Sequence, residues 1–136
     1  VKQLGCRAGK WLNQDQARLL LEKANGQSLS HLRDVAMIWI LLGCGLRRAE
    51  LSTLRRADIQ IRQGHWAIVD LVGKGNHVQT VPMPMWVKEA VDRWLSAASV
   101  ASGYVFRAVS RHGTALGTGI SENVVWYVVR SCARRL

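Results

Sequence analysis

The spacing of apolar residues predicts helices first, then strands, then helices again. In "NQDQARLLLEKANG", Ala17, Leu20, Leu21 and Ala24 recur at i, i+3, i+4, i+7, which is one helical face. Asn13 with Gln16 three residues on has the form of a capping box, and Asn25-Gly26 ends the element. A second helix is predicted from Ser30 to Leu42, polar in its first turn and apolar nearly all round from Val35 onward, the mark of a buried central helix. Gly43 and Gly45 are read as its stop. A short third helix covers Arg47 to Leu54, with Leu51 and Leu54 facing inward.

The period then changes. "ADIQIRQGHWAIVDLVGKGNHVQTVPMP" holds three strand-like runs, Asp58 to Arg62, Trp66 to Val72 and His77 to Val81, with Gln63-Gly64 and Gly73-Lys74-Gly75-Asn76 as turns. Such short connections predict an antiparallel meander, ended by Pro82 and Pro84. "MWVKEAVDRWLSAAS" is helical again. Val87, Ala90, Val91, Trp94 and Leu95 form its apolar face, and Lys88, Glu89, Asp92 and Arg93 its polar one. "YVF" reads as a short extended segment and "RAVSRHGTALG" as a basic, turn-rich loop. In the last helix Ser121 is the N-cap, Val124, Val125, Val128, Val129 and Cys132 form the buried stripe, and Arg130 and Arg134 lie outside it. Tyr127 is read as a packing residue. The expected fold is α+β and mostly helical, a helical bundle with a small three-stranded antiparallel sheet. Residues 1–11 are expected to be a linker or tail, and 12–136 one domain.

Charge changes this picture most. The 136 residues carry 19 Lys+Arg against 9 Asp+Glu, a formal net charge of +10, with a sequence pI near 10.6. Such an excess favours a polyanionic partner, nucleic acid being the commonest. A merely solubilising excess is the bland alternative. Cys6, Cys44 and Cys132 are far apart and odd in number, which fits neither a disulfide framework nor a zinc site. Cys44 and Cys132, set among apolar residues, are expected to be buried thiols in a reducing compartment. The four histidines are scattered without partners at ligand spacing, so no metal is expected. The apolar stretch "VAMIWILLGCGL" is about a dozen residues, short of the ~20 that span a membrane. A cytoplasmic protein without a membrane partner is therefore expected.

Two stretches carry candidate chemistry. In "GCGLRRAEL", Gly45 permits a tight turn and Arg47 stands at a helix start, where free N–H groups and a planar guanidinium both favour an anion. Glu50, at i+3, is placed to hold Arg47 by an ion pair, while Arg48 points elsewhere as an exposed or backbone-contacting cation. In "VGKGNHVQTVP", Lys74 lies between two glycines at a hairpin tip, where a long mobile ammonium can reach a phosphate or give a proton to a leaving oxygen. A solvated arginine pair and an ordinary glycine-rich turn have the same local patterns, and the residues alone leave both readings open.

In combination, "GLRRAEL…LRRADI…VGKGNHVQTVPMP" resembles the catalytic domain of the tyrosine recombinases, the phage-integrase family of site-specific DNA recombinases. "CGLRRAEL" is similar to that family's "TGLRxxEL", "GKGNHVQTVP" to its "GKGxKxRxVP" hairpin, and "LNQDQARLLLEKA" to its opening helix, so the likeness runs from about residue 12 to the end. The resemblance implies that Arg47 binds the scissile phosphate, that Glu50 supports it, and that Lys74 is the general acid toward the 5′-oxygen. It further implies double-stranded DNA as partner, no cofactor, a 3′-phosphotyrosine intermediate, and a full-length protein that assembles as a homo-oligomer on DNA. His77 and Gln79 stand where the family often has basic residues, and His77 is retained as a candidate DNA contact. Arg48, Arg107, Arg111, Arg130 and Arg134 are further candidates for the DNA backbone, a solvated basic face being the alternative.

The family's His-x-x-Arg box follows none of His31, His65, His77 or His112, and Tyr104 and Tyr127 come before the place where that box begins. The expectation is therefore a partial catalytic domain, inactive alone, that lacks the tyrosine nucleophile and the preceding DNA-clamping domain. The alternative is a DNA-binding module without chemistry, from a decayed or regulatory recombinase. A small-anion-binding protein of unrelated function is a third reading.

Overall fold

The structure, a computed structural model, describes Asp15, residues 28–72 and residues 78–134. The predicted opening helix at 13–26 therefore lies outside the described residues except for Asp15, which is helical and exposed. The described elements run α1 (Leu29–Cys44), α2 (Arg48–Thr53), a 3-10 turn (Arg56–Asp58), β1 (Ile59–Arg62), β2 (His65–Val72), β3 (Val78–Pro82), α3 (Met85–Ala97), β4 (Arg107–Val109), β5 (Ala115–Gly119) and α4 (Glu122–Arg134). The α+β class, mostly helical with a three-stranded antiparallel sheet, is as expected.

α1 starts where Ser28 accepts the N–H of His31 at 3.2 Å, an N-cap hydrogen bond. Its apolar run is central, with every residue from Ala36 to Leu41 buried. α1 packs against α3 and also touches α4, and α2 packs on α4. Helix α1 ends at Cys44, and Gly45 takes the left-handed conformation (φ 68°) that turns the chain. Burial pushes the Cys44 thiol up to about 12, so it stays protonated and unreactive at neutral pH. Leu46 then plugs into the core.

Gly43 corrects the sequence reading. It does not stop the helix but lies inside it. A Cβ there would meet Val87 Cγ2 at 2.5 Å and the Trp86 ring at 2.9 Å, so glycine is what lets α1 and α3 approach. An alanine gains up to about 1 kcal/mol in helix propensity but forces overpacking that costs roughly 1–3 kcal/mol. Gly43→Ala is expected to lower stability in urea denaturation; an unchanged or raised midpoint would show that the two helices can move apart freely.

The sheet has the order β1-β2-β3 and is antiparallel throughout. Its first turn has positive φ at both Gln63 (52°) and Gly64 (78°), the pattern of a two-residue type I′ hairpin. Ile59, Ile68 and Val81 pair in one row across the three strands and pack on the helical core. A bulge between Ile68 and Leu71, with Asp70 at φ 55°, shifts the register before the β2–β3 connection.

Three further readings are corrected. Lys88, placed on the polar face of α3, is only 9% exposed. It lies about 90° from the centre of the apolar stripe, and the sheet covers that flank. Its Nζ sits 3.9 Å from the centroid of Trp66 on β2 and 2.5 Å from Asp92 Oδ1. Tyr127, read as a packing residue, is 70% exposed. At 100° per residue it points about 130° from the valine stripe of α4, so the stripe is complete without it. The "RAVSRHGTALG" segment is not simply a loop. It forms the β4–β5 hairpin, in which Arg107 pairs with Gly119 and Val109 with Ala115. Ser110 closes the connection, its N–H donating to Thr114 O and its Oγ accepting from Thr114 N.

Trp94 and Phe106, both fully buried, join α3 to the segment that leads into this hairpin. Their rings stack with centroids 6.5 Å apart, and Trp94 Nε1 donates to Val105 O at 2.6 Å. On the other side of the same segment, Val105 N donates to Leu54 O and Arg56 N to Gly103 O, which clips it to the end of α2.

Candidate nucleic-acid interface

Arg47 is the N-cap of α2 rather than its first residue, with extended φ and ψ (−82°, 160°). Its backbone N–H donates to Glu50 Oε1 at 2.7 Å, half of a capping box. The expected Arg47–Glu50 ion pair is not formed among the described residues. Glu50 holds the backbone of Arg47 instead and leaves the half-buried guanidinium free of a carboxylate. Leu51 N donates to Arg47 O at 2.9 Å, so the turn is fixed from both ends of the residue.

Arg48 does point elsewhere, toward α4. Its Cζ lies 5.7 Å from the ring centroid of Trp126, and Arg130 Cζ lies 6.0 Å from the same ring. Two arginines from different elements are thus brought to one indole, and the start of α2 is joined to the exposed side of α4. Each such contact is worth about 0.5–1 kcal/mol at an exposed site. Trp126 itself is half-buried and packs against the core. Two arginines at i−78 and i+4 are no pattern a sequence scan detects. Asn123, Tyr127 and Arg130 are all exposed on α4, and their spacing of i, i+4, i+7 sets them on one side of the helix.

The other candidates divide. Arg111 and His112 are exposed at the β4–β5 connection. Arg107 is turned inward: its Nε donates to Tyr104 O at 3.0 Å and its Nη2 to Ser102 O, so the guanidinium holds its own loop. Its carbonyl accepts from Arg33 Nη1 at 3.2 Å, which ties the hairpin to α1. Arg134 is the last residue of α4, and Lys74 and His77 lie outside the described residues. A cavity of about 540 Å³ opens near the C-terminal end of α3, between Arg56, Asp92, Leu95 and Ser96, and none of the candidate residues lines it.

Among the described residues no group of His, Cys, Asp and Glu is placed to hold a metal, and no helix is long and apolar enough to cross a membrane.

Arg48, Arg111 and Arg130 are thus carried by a short helix, a hairpin connection and α4, in a fold that also holds a three-stranded sheet. The chain belongs to the phage integrase family, whose family model matches residues 10–135. It is 36% identical over 118 residues to the tyrosine recombinase XerC of Vibrio atlanticus, covering 85% of this chain and 36% of that protein. It is 26% identical over 132 residues to the tyrosine recombinase XerD of Listeria monocytogenes, covering 92% of this chain and 41% of the relative. The fold is similar to the crystal structure of XerA recombinase, with a TM-score of 0.63 at 22% identity over 91% of this chain and 41% of that one. It is likewise similar to XerH site-specific recombinase bound to its difH substrate in a pre-cleavage complex, with a TM-score of 0.64 at 18% identity over 91% and 36% of the two chains. The chain thus spans about two fifths of the length of these relatives.

Proposed function

We propose that this chain binds double-stranded DNA through the surface formed by Arg47, Arg48, Arg111 and Arg130, as part of a site-specific recombinase that breaks and rejoins DNA. The observation that carries this reading is the Arg48–Trp126–Arg130 junction, which brings cations from α2 and α4 to one indole, Arg48 being the chain neighbour of Arg47. The XerH relative, solved on its difH substrate, supports DNA as the partner.

In the proposed reaction Arg47 takes the scissile phosphate. Its planar fork matches two non-bridging oxygens, and its charge stabilises the pentacoordinate transition state. Glu50 acts through the backbone, holding the residue that presents the guanidinium. Lys74 protonates the 5′-oxygen as it leaves. The 3′-phosphate is retained on a tyrosine outside this segment, so no metal or high-energy cofactor is needed. Tyr127, though exposed, has no hydrogen bond to its hydroxyl from any described residue. A DNA-binding module without chemistry uses the same surface.

The purified 136-residue chain is expected to bind a nicked suicide duplex and leave it uncleaved. A covalent protein–DNA adduct mapped to Tyr104 or Tyr127 by mass spectrometry would overturn the assignment of the nucleophile. Failure to bind duplex DNA at all would overturn the DNA reading itself.

A further inference from the structure

The chain uses one pentapeptide pattern twice, Leu-Arg-Arg-Ala-acid, at Leu46–Glu50 and again at Leu54–Asp58. Both copies fold in the same way. Leu46 and Leu54 are each 1% exposed and anchor their copy in the core. The first arginine of each takes extended backbone angles ahead of a helical turn: Arg47 at −82°, 160° and Arg55 at −107°, 151°. In each copy the acid three residues on accepts that arginine's backbone N–H. Glu50 Oε1 accepts from Arg47 N at 2.7 Å, and Asp58 Oδ2 accepts from Arg55 N at 3.0 Å. The carboxylate is engaged by the backbone in both copies, and neither guanidinium is in an ion pair among the described residues.

The second arginines differ, which singles out Arg55. Arg56 is committed to the fold, its Nη1 donating to Val100 O at 2.7 Å. Arg55 is exposed and gives no side-chain hydrogen bond to a described residue. It is nevertheless held in place, with its Cζ 4.7 Å from the centroid of the Tyr104 ring. That ring is itself packed on bare backbone: a Cβ at Gly119 would come within 3.2 Å of it. Arg55 and Tyr104 also face each other as an isolated antiparallel bridge. Tyr104 is thus fixed between β5 and Arg55, and the guanidinium on it keeps its N–H donors for a ligand. A stacked guanidinium offers a fork to phosphate at a small further entropy cost. The six residues of α2 rise about 9 Å, so Arg55 stands within a few nucleotides' reach of Arg47.

We propose that Arg55, stacked on Tyr104, is a second contact to the DNA phosphate backbone, beside Arg47. This rests on the DNA reading above, and its ligand is a backbone phosphodiester rather than a base edge. The contact positions the duplex and carries no sequence information.

The test measures binding of a fluorescein-labelled 20-base-pair duplex by anisotropy across a potassium chloride series. It compares the unaltered chain, Arg55→Gln, and Arg93→Gln, which removes the same charge from an exposed position on α3. Arg55→Gln is expected to weaken binding about three- to tenfold at 100 mM salt and to lower the slope of log K against log salt by about 0.9. Arg93→Gln is expected to change neither by a comparable amount. Tyr104→Leu, which keeps every charge, is expected to weaken binding by about twofold or more while Tyr104→Phe does not. Equal effects of Arg55→Gln and Arg93→Gln, or an unchanged slope for Arg55→Gln, would overturn the inference. No binding by the unaltered chain would count against the DNA reading instead.

Discussion

Replacing Trp94 with alanine is expected to destabilise the protein by about 3–5 kcal/mol, the range for removing a fully buried large aromatic. Total stabilities of single domains are only about 5–15 kcal/mol. The loss therefore takes a large share of what holds the chain folded, and Tm should fall by roughly 10–20 °C. Three effects act together at this position. The indole is 0% exposed, it stacks on Phe106, and its N–H satisfies the carbonyl of Val105. Without it a cavity opens and that carbonyl loses its donor, which adds the cost of an unpaired buried group. Trp94→Phe keeps most of the apolar volume and should cost less than half as much. Urea denaturation followed by circular dichroism measures both, and a cost below about 1 kcal/mol for the alanine variant would show that α3 and the Val105–Phe106 segment are not coupled. The same segment leads into the hairpin that carries Arg111 and follows Tyr104, which meets Arg55.

DNA affinity should fall steeply with salt. Each phosphate neutralised contributes about −0.9 to the slope of log K against log salt. The four proposed contacts, from Arg47, Arg48, Arg111 and Arg130, would give about −3.6, and Arg55 as a proposed fifth would give about −4.5. Raising potassium chloride from 50 to 200 mM should then weaken binding by roughly 150- to 500-fold. A slope shallower than about −2 would mean that most of these arginines stay solvated, and the excess of charge would then be a property of the surface rather than of an interface.

The two arginine pairs show how far local pattern can be read. "GCGLRRAEL" is legible as a helix start because Gly45 permits the turn that precedes it, and the structure puts Arg47 at the cap of that helix, one position before the residue where the helix begins. What Glu50 does there could not be read. An acid at i+3 can bond a side chain or a backbone N–H with equal ease on paper. The backbone wins here at 2.7 Å, and the guanidinium is left without it. Arg107 was indistinguishable from Arg111 as a basic residue in one polar segment. Only the folded loop turns the first onto the carbonyls of Ser102 and Tyr104 and leaves the second in solvent.

By itself the sequence determined the order and type of the described elements other than β4–β5 and the 3-10 turn at Arg56–Asp58, where a strand was expected to begin at Asp58, because period 3.6 and period 2 are properties of neighbours along the chain. It also determined the charge excess and the candidate standing of Arg47. The tertiary structure alone decided where each flank of an element meets another one. Gly43 is a packing residue because Val87 comes within 2.5 Å of where a Cβ would stand. Lys88 is buried because Trp66 lies over it. Arg48 and Arg130 meet at one ring because Trp126 receives both, and Arg55 stacks on a Tyr104 ring that rests on Gly119. Each of these pairs residues that are distant along the chain, and no local spacing rule encodes which distant side chain will close a contact.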